Sequence, residues 1–422
     1  MIRFYNGRIL SFEPAFVLSD NEVWTDGSVI SYVGPAREDM PVFEREIDLR
    51  GDVLMPGFKN AHTHTPMTFL RSYADDMPLH QWLNERIFPS EAKLTDEAVY
   101  AFTRLGVLEY LTSGITASFD MYAFSEANAQ ANIDCGFRTV LTSALNKFDA
   151  DPTQIERDYL RYNSMSELVT YTLGLHAEYT TSIDRIMYMV GLLEKYREPG
   201  YIHCSETAFE VQDCINRYGK TPPQFLYDIG FFRYGGGIYH GVHMTDDDIR
   251  LFADNGLWVV TNPASNLKLD SGIAPICKMR RAGVKLAIGT DGPASNNALD
   301  MFREMYLAAV LQKILEDDAS ACDAGSVLEM ACVGGAQCMG LNDCDGIAVG
   351  KKADLIIIDL NRPNMQPLNN ICKNIVYSGS KENVRMTMVN GRILYENGEF
   401  FVGESAERIY AEAERLTREI VG

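Results

Sequence analysis

The chain has 422 residues, more than a single hydrophobic core usually organises, so we expect several domains or one large barrel with an attachment. Its composition, 46% hydrophobic and 23% charged, is that of a globular protein and excludes a disordered chain. The 58 acidic and 38 basic residues give a formal charge of −20, which repels polyanions and argues against nucleic acid or an anionic membrane as a partner. A small neutral or cationic substrate suits this charge better.

The cysteines and the first residues indicate a cytoplasmic protein. Nine cysteines are an odd number and none are spaced C-x-x-C, so we expect free thiols and not a disulfide framework. The opening MIRFYNGRIL interrupts its apolar residues with Arg3, Asn6 and Arg8, which is not typical of a signal peptide. No apolar run is long enough to span a membrane.

The two ends of the chain predict one small β domain. Near the start, the turn dipeptides Asn6-Gly7 and Asp26-Gly27 separate short alternating runs and are typical of hairpins. After residue 345 β character returns, and VNGRIL at 389–394 resembles YNGRIL at 5–10, as expected if two similar strands pair. The expected domains are 1–55 and 346–404 as the two parts of a β-sandwich, 56–345 between them, and 405–422 as a C-terminal helix.

Between these ends, strand-like stretches alternate with amphipathic segments. In one cycle Thr95 is a plausible N-cap, apolar residues follow at helical spacing, and Gly114 stops the helix before the strand ITASFDMY. The predicted strands lead into His62, precede Met121, and cover 137–145, 169–179, 200–206, 236–243, 257–263 and 284–292. Eight strands alternating with helices predict an α/β fold, a (β/α)8 TIM barrel, with the small β-sandwich attached.

Histidines cluster at the ends of these predicted strands. Alternate residues of a strand face the same side, so His62 and His64 in PGFKNAHTHTP can direct both imidazoles into one space. The other strand-end candidates are His176, His203, His240, His243 and Asp291, and of seven histidines only His80 falls elsewhere. One such histidine is usually a hydrogen-bonded core residue. Six at one barrel mouth favour a metal centre, because removing several imidazoles from water costs free energy that metal binding would offset.

Six stretches carry a resemblance to a known family. They are PGFKNAHTHTPMTFLRSYADDMPLHQWL, IHCSET, YHGVHMTDDDI, TNPASNLKL, GVKLAIGTDGPASNNALDMF and AVGKKADLIIIDL, in this order. Together they resemble the amidohydrolase superfamily in its cytosine-deaminase-like and chlorohydrolase-like branch, and most of all its deaminases of 5′-methylthioadenosine and S-adenosylhomocysteine. The resemblance implies His62, His64, His203 and Asp291 as metal ligands, Glu206 as proton shuttle, His240 and Asp291 as the groups acting on the attacking water, and His176, Trp82 and Glu206 beside the substrate.

The resemblance also implies one divalent metal ion per subunit. Binuclear members carry a bridging lysine on the fourth strand, and VTYTLGLHAEY has none. Zinc is expected, with ferrous iron as the alternative, because both suit three histidines and an aspartate. Water on such an ion has its pKa lowered to roughly 7. For Trp82 on its predicted helix, ordinary core packing is an equal interpretation.

The implied activity is hydrolytic deamination of an amino-purine or an adenosine-type nucleoside, with water as co-substrate and a homo-oligomer allowed by family habit. Nucleoside-binding relatives carry an arginine in T-R-G-L at the end of the third strand, where TSAL here places Ser143. Serine cannot replace the bidentate contact that an arginine makes with a carboxylate or vicinal hydroxyls. A free amino-heterocycle such as guanine, 8-oxoguanine or a pterin therefore remains an alternative substrate. Hydrolysis of a chlorotriazine is a second alternative function, although Glu206 favours deamination. A third hypothesis is a scaffold protein without catalytic activity. Scaffold members of the superfamily lack metal ligands, whereas His62, His64, His203 and Asp291 are all present here.

Overall fold

The computed structural model describes residues 1–12, 17–77, 79–147 and 151–422, and for Leu79 and His80 the backbone alone. Its strands are β1 (Ile2–Tyr5), β2 (Arg8–Ser11), β3 (Val17–Ser19), β4 (Glu22–Asp26), β5 (Val29–Gly34), β6 (Arg45–Asp48), β7 (Val53–Pro56), β8 (Phe58–Thr63), β9 (Ile115–Met121), β10 (Arg138–Thr142), β11 (Val169–Ala177), β12 (Gly200–Cys204), β13 (Gly236–His240), β14 (Trp258–Thr261), β15 (Lys285–Ile288), β16 (Leu355–Ile358), β17 (Val384–Val389), β18 (Arg392–Glu396) and β19 (Glu399–Phe400).

The α-helices are α1 (Leu79–Trp82), α2 (Phe88–Glu91), α3 (Asp96–Thr112), α4 (Ser125–Cys135), α5 (Gln154–Tyr162), α6 (Ile183–Tyr196), α7 (Ala208–Tyr218), α8 (Pro222–Asp228), α9 (Asp246–Asp254), α10 (Pro263–Lys268), α11 (Ile276–Ala282), α12 (Pro293–Asn296), α13 (Met301–Leu315), α14 (Ala324–Glu329), α15 (Gly335–Cys338), α16 (Ile371–Lys373) and α17 (Ala406–Val421). Short 3₁₀ or π segments cover Thr65–Leu70, Leu83–Ile87, Met330–Gly334, Pro363–Met365, Asn374–Ser378 and Lys381–Asn383. In the described ranges, no helix combines the length and the apolar character needed to cross a bilayer.

Strands β8 to β15 form one parallel sheet in chain order, which confirms the predicted (β/α)8 barrel. All eight predicted strands are present. The helix predicted after Thr95 is α3, and the Thr95 side chain accepts a hydrogen bond from the Ala98 N–H as an N-cap. Gly114, with a φ of +72°, follows the helix end.

The seam between β8 and β15 closes the barrel through buried polar contacts. The Asn60 amide donates to Thr290 Oγ1 at 2.7 Å and accepts from the Thr290 N–H at 2.8 Å. The Asp291 N–H donates to the His62 carbonyl at 3.0 Å. Gly289 allows this approach, because a Cβ there would lie 2.7 Å from the His62 nitrogen. The first and last strands of the barrel are therefore locked in register at the end that carries the histidines.

Two further sheets are built from the chain ends. The four-stranded sheet has the order β5-β4-β1-β6, and the seven-stranded sheet has the order β19-β18-β17-β16-β7-β2-β3. The second sheet thus combines strands from both ends of the chain, as the fold prediction requires. Similar strands β2 and β18 lie in this sheet but are not neighbours, so their predicted direct pairing is wrong. The domain limits at 55, 345 and 404 stay a prediction.

One predicted hairpin is present and the other is not. Strands β4 and β5 pair antiparallel around Asp26-Gly27. Strands β1 and β2 flank Asn6-Gly7 but lie in different sheets, with Asn6 at a φ of +57° in the turn that passes from one sheet to the other. The physical reason is burial, because Phe4 of β1 and Ile9 of β2 belong to one hydrophobic cluster and meet face to face, not edge to edge.

A buried ion pair joins the barrel to the seven-stranded sheet. Arg138 at the start of β10 donates from Nε to Asp354 Oδ2 at 2.8 Å, and both side chains are almost fully buried. The Asp354 carboxylate also accepts from the Asn390 N–H at 2.7 Å. Burial alone would raise the pKa of Asp354, but the charge and hydrogen bond of Arg138 lower it. The carboxylate therefore stays ionised in the interior.

We predict that Arg138→Ala lowers the free energy of unfolding by about 3–5 kcal/mol, because it leaves an unpaired buried carboxylate. The folded pKa of Asp354 lies below its unfolded value of about 3.9, so the pair stabilises above that pH and its contribution is lost as the pH falls through the folded pKa. Denaturant unfolding of Arg138→Ala should therefore show this decrease in the free energy of unfolding at pH 5 and at pH 8. Arg233→Ala is the control, since its pair with Glu194 is exposed. Equal losses in the two variants would contradict a special role for Arg138.

Candidate active site

Polar side chains converge at the carboxyl ends of the barrel strands. His62 lies in β8, His203 in β12 and His240 at the end of β13, while Asp291 follows β15. One ligand atom from each of these four buried residues lies within 4.8 Å of the others. His64, just past β8, places its Nε2 3.3 Å from Asp291 Oδ1 and 3.3 Å from His203 Nε2. Five side chains therefore meet at one point, one more than a four-ligand set needs.

These residues fit a divalent metal ion. Imidazole nitrogens and a carboxylate are the donors that zinc takes. Neither ring nitrogen of the fully buried His62 makes a well-formed hydrogen bond to a described residue, and its Nε2 lies 3.5 Å from Asp291 Oδ1, as expected of two groups that bind one cation. Burial lowers the pKa of His62 to about 3 and the pKa of His203 well below its ordinary value. Both rings are therefore neutral at physiological pH, the form that binds a metal.

Hydrogen bonds from a surrounding layer orient the candidate ligands. His64 Nδ1–H donates to the Met121 carbonyl at 2.6 Å, and His203 Nδ1–H donates to the His176 carbonyl at 2.6 Å. Since Nδ1 makes this bond in each ring, Nε2 is the atom that faces the centre. Burial opposes protonation of His64, but the hydrogen bond and charge of Asp291 outweigh it and raise the pKa of His64 to about 9, so a bound cation would displace the proton from its Nε2.

The carboxylate of Asp291 is oriented by two hydroxyl groups. Ser265 and Ser295 donate to its Oδ2 at 2.5 and 2.9 Å, which leaves Oδ1 to the histidines. The sequence marked TNPASNLKL as a pocket segment without assigning roles, and the structure shows Ser265 on Asp291 and Asn266 on His240.

His240 and Glu206 lie next to each other beside this group. Glu206 Oε2 lies 3.9 Å from His240 Nε2, and His240 Nδ1–H donates to the Asn266 amide oxygen at 2.7 Å. Burial raises the pKa of Glu206, and the charge of His240 opposes that rise. Burial also acts against protonation of His240, but the charges of Glu206 and Asp291 outweigh it and raise the pKa of His240. A carboxyl group with a raised pKa is suited to proton transfer near neutral pH.

The remaining predicted substrate residues border the same space. Trp82 and His176, together with Glu206, His240 and Asp291, line a small inner space of about 50 Å³. Trp82 is buried, and His176 makes a 2.9 Å hydrogen bond from Nδ1 to Thr180 Oγ1. His243 lies apart from the five converging groups and donates from Nε2 to the Ser271 carbonyl at 2.7 Å. The side chain of His80 is outside the described part.

A cavity of about 410 Å³ adjoins this space and shares His64 and His176 with it. Glu91 and Tyr122 contribute polar groups to its wall, and the Tyr122 hydroxyl donates to Glu91 Oε1 at 2.6 Å. Sequence reasoning missed Glu91, because FPSEA is an ordinary helical stretch and nothing in it marks a residue that faces a cavity.

An outer chamber of about 470 Å³ continues from this cavity and shares Tyr122, Phe124 and Asn146 with it. Its described wall is acidic. The charged residues in it are Asp96, Glu126, Asp151, Asp158 and Arg161. Arg161 is already paired with Glu126 at 2.5 Å.

Ser143 lies in the wall of this chamber, and its hydroxyl bonds the backbone of a neighbouring barrel strand. Its hydroxyl donates to the Gly174 carbonyl at 2.7 Å and accepts from the Gly174 N–H at 2.9 Å. The side chain therefore links β10 to β11 and does not offer a free hydroxyl to a ligand.

Known proteins match the chain over nearly its full length. The model of the amidohydrolase family matches residues 53–394. A 5-methylthioadenosine/S-adenosylhomocysteine deaminase of Caldanaerobacter subterraneus subsp. tengcongensis is 38% identical over 99% of this chain and 98% of its own length. A protein of the same name from Thermococcus onnurineus is 41% identical over 84% of this chain and 85% of its own length.

A solved structure agrees with these sequence matches. The crystal structure of an adenosine deaminase from Xanthomonas campestris with bound zinc superposes with a TM-score of 0.94 at 32% identity, covering 100% of this chain and 98% of that chain. The family match and the deaminase relatives identify a hydrolytic aminohydrolase that acts on C–N bonds. This chain belongs to the amidohydrolase family.

Proposed function

We propose that this protein is a metal-dependent deaminase of an adenosine-type nucleoside and releases ammonia from it. The observation that carries the proposal is the position of Glu206 beside His240, at the point where His62, His203 and Asp291 converge. A proton donor, a second titratable ring and a metal-ligand set at one cavity are what addition of water to an amino-substituted ring carbon needs. The names and zinc content of the relatives support this reading.

We assign one divalent ion, zinc, to His62, His64, His203 and Asp291. His64 is preferred over His240 because His64 Nε2 faces Asp291 and His203, whereas His240 Nε2 also faces Glu206. When bound, the ion supplies a water whose pKa is lowered to roughly 7.

The protein's own groups then move the protons. His240 Nε2 lies at the wall of the inner space, where it can orient the attacking water, and Asp291 can accept a proton from it. Glu206 delivers a proton to the ring nitrogen next to the attacked carbon. Asp291 passes the proton that it took from the water to the departing amine, which leaves as ammonia. The remaining hydroxyl proton returns to Glu206, and the carbon keeps the oxygen as a carbonyl group. Trp82 and His176 border the ring and exclude bulk water.

The two outer spaces favour a nucleoside over a free base. The cavity that contains Glu91 has room beyond the inner space, and its carboxylate can accept hydrogen bonds from sugar hydroxyls. The outer chamber offers a carboxylate tail no unpaired cation among its described wall residues, since Arg161 is held by Glu126. Adenosine and 5′-methylthioadenosine therefore fit better than S-adenosylhomocysteine.

The ligand assignment predicts different fates for His64→Ala and His240→Ala. The first should lose most of the bound metal, whereas the second should keep about one ion per subunit and lose activity. Metal content of the purified proteins, measured by mass spectrometry, tests this. His243→Ala should keep both metal and activity, because His243 lies apart and bonds Ser271. Metal loss from His240→Ala together with retention by His64→Ala would replace our set with His62, His203, His240 and Asp291.

The shuttle role predicts that Glu206→Gln keeps the metal and lowers kcat for adenosine and 5′-methylthioadenosine by about 10²- to 10⁴-fold. Ammonia release should be measured for these nucleosides beside guanine, 8-oxoguanine, a pterin and a chlorotriazine. Glu194→Gln, an exposed glutamate of α6, should leave the rate unchanged. Full activity of Glu206→Gln would reject the role, and turnover of a free base alone would reject the nucleoside assignment.

The outer chamber predicts that kcat/KM for 5′-methylthioadenosine exceeds that for S-adenosylhomocysteine by about tenfold or more. The tail of S-adenosylhomocysteine carries an ammonium and a carboxylate, and the wall leaves the carboxylate beside other carboxylates without an unpaired cation among the described residues. One unmatched charge readily costs about 1.4 kcal/mol. Asp158→Asn removes one negative charge from the wall and should narrow the difference. Asp254→Asn, at the exposed end of α9, serves as the matched control. Equal kcat/KM values for both substrates would show that the chamber does not select against the tail.

A further inference from the structure

We propose that Glu210 is a positioning residue that holds the backbone at Ser205 and Glu206 and thereby sets the direction of the Glu206 carboxyl; this rests on the function proposed above. Glu210 lies in the first turn of α7, four residues after Glu206. It touches neither the substrate space nor the candidate metal ligands, so it acts only through its neighbours.

The carboxylate of Glu210 receives two backbone donors. The Ser205 N–H donates to Oε1 at 2.9 Å and the Glu206 N–H donates to Oε2 at 2.8 Å. Glu210 is only 2% exposed, so water cannot replace it at these two N–H groups. Its own N–H donates to the Oγ1 of Thr207, the N-cap of α7, at 3.2 Å. An acidic residue at the third helical position usually reaches back to the cap; here it reaches beyond, to the two preceding residues.

Ser205 needs this support because its backbone is in an unfavourable conformation. Its φ is +54°, in the left-handed region that non-glycine residues rarely adopt. The Ser205 carbonyl accepts from the His243 N–H at 2.8 Å, so the residue is held from both sides. If the bond to Glu210 is lost, the His243 contact is the one hydrogen bond to the Ser205 backbone that remains among the described residues, and Glu206 follows directly along the chain.

The direction of the Glu206 carboxyl depends on its backbone. Its carboxyl makes no hydrogen bond to a described residue, and its nearest charged partner is His240 Nε2 at 3.9 Å. The direction of the side chain is therefore set by the backbone from which it projects. Helix α7 itself is secured at its far end, where Arg217 contacts Glu178 with both guanidinium nitrogens. Removing the Glu210 carboxylate should therefore loosen the turn and leave the helix in place.

The kinetic test uses Glu210→Ala and Glu210→Gln in the metal-loaded enzyme. A misplacement of the shuttle should lower kcat for 5′-methylthioadenosine by roughly 100-fold in Glu210→Ala, with KM and metal content nearly unchanged. Glu210→Gln keeps one carbonyl acceptor and should lose less. Gln212→Ala, exposed on the same helix, should behave as wild type.

A double variant separates positioning from a purely structural role. If Glu210 acts through Glu206, then adding Glu210→Ala to Glu206→Gln should cause no further loss of kcat. A further loss of the full size of the single-variant effect would overturn the proposal, because Glu210 would then act independently of the shuttle.

Amide hydrogen exchange gives a reading that does not depend on catalysis. The Ser205 and Glu206 amides should exchange faster in Glu210→Ala and in Glu210→Gln, while the later amides of α7 keep their wild-type rates. Unchanged exchange at these two amides would overturn the proposal. If wild-type protein releases no ammonia from any nucleoside, the proposed function fails, and the exchange rates alone decide whether Glu210 holds this turn.

Discussion

The Asp291 N–H donates to the His62 carbonyl across the seam between the last and first barrel strands, and the geometry of the site depends on this closure. The two residues are 229 positions apart in the chain. The Asn60 amide completes the seam by bonding both the N–H and the hydroxyl of Thr290. Because these groups are buried, each must find its partner, and the strands cannot slip by one residue without leaving several of them unsatisfied.

Desolvation is the second constraint on the site. Five titratable side chains meet at the barrel mouth. Burial keeps His62 and His203 neutral, whereas Asp291 stays ionised and, against burial, raises the pKa of His64 to about 9. A surrounding layer of carbonyl, amide and hydroxyl groups then decides which atom of each side chain faces the centre. This layer gives the site a preorganised shape, as a metal centre and an acid–base pair both require.

Three adjoining spaces lie around the site. The inner space is lined by Glu206, His240 and Asp291, the adjoining cavity adds Glu91, and the outer chamber adds an acidic wall. Ser143 belongs to the wall of that chamber but its hydroxyl is held by Gly174, so it offers neither a charge nor a free hydroxyl to a ligand.

The sequence by itself determined what depends on local patterns. Apolar periodicity and the Thr95 cap predicted α3, the alternation of strands and helices predicted the barrel, and the spacing of His62 and His64 predicted that both face one space. The resemblance to amidohydrolases supplied the roles of Glu206, His240, Trp82 and His176, and the structure brings all four to one space. These features follow from backbone geometry over a few residues or from a shared motif.

Only the tertiary structure decided what depends on burial and on distant partners. Asn6-Gly7 has the signal of a hairpin, yet β1 and β2 lie in different sheets that bury Phe4 and Ile9 in one hydrophobic cluster. Glu91 and Glu210 look like ordinary helical acids, and their importance appears only when the cavity and the strained Ser205 are seen beside them. A local pattern shows which residues share a face, but it does not show what that face will meet, because the packing partner comes from elsewhere in the chain.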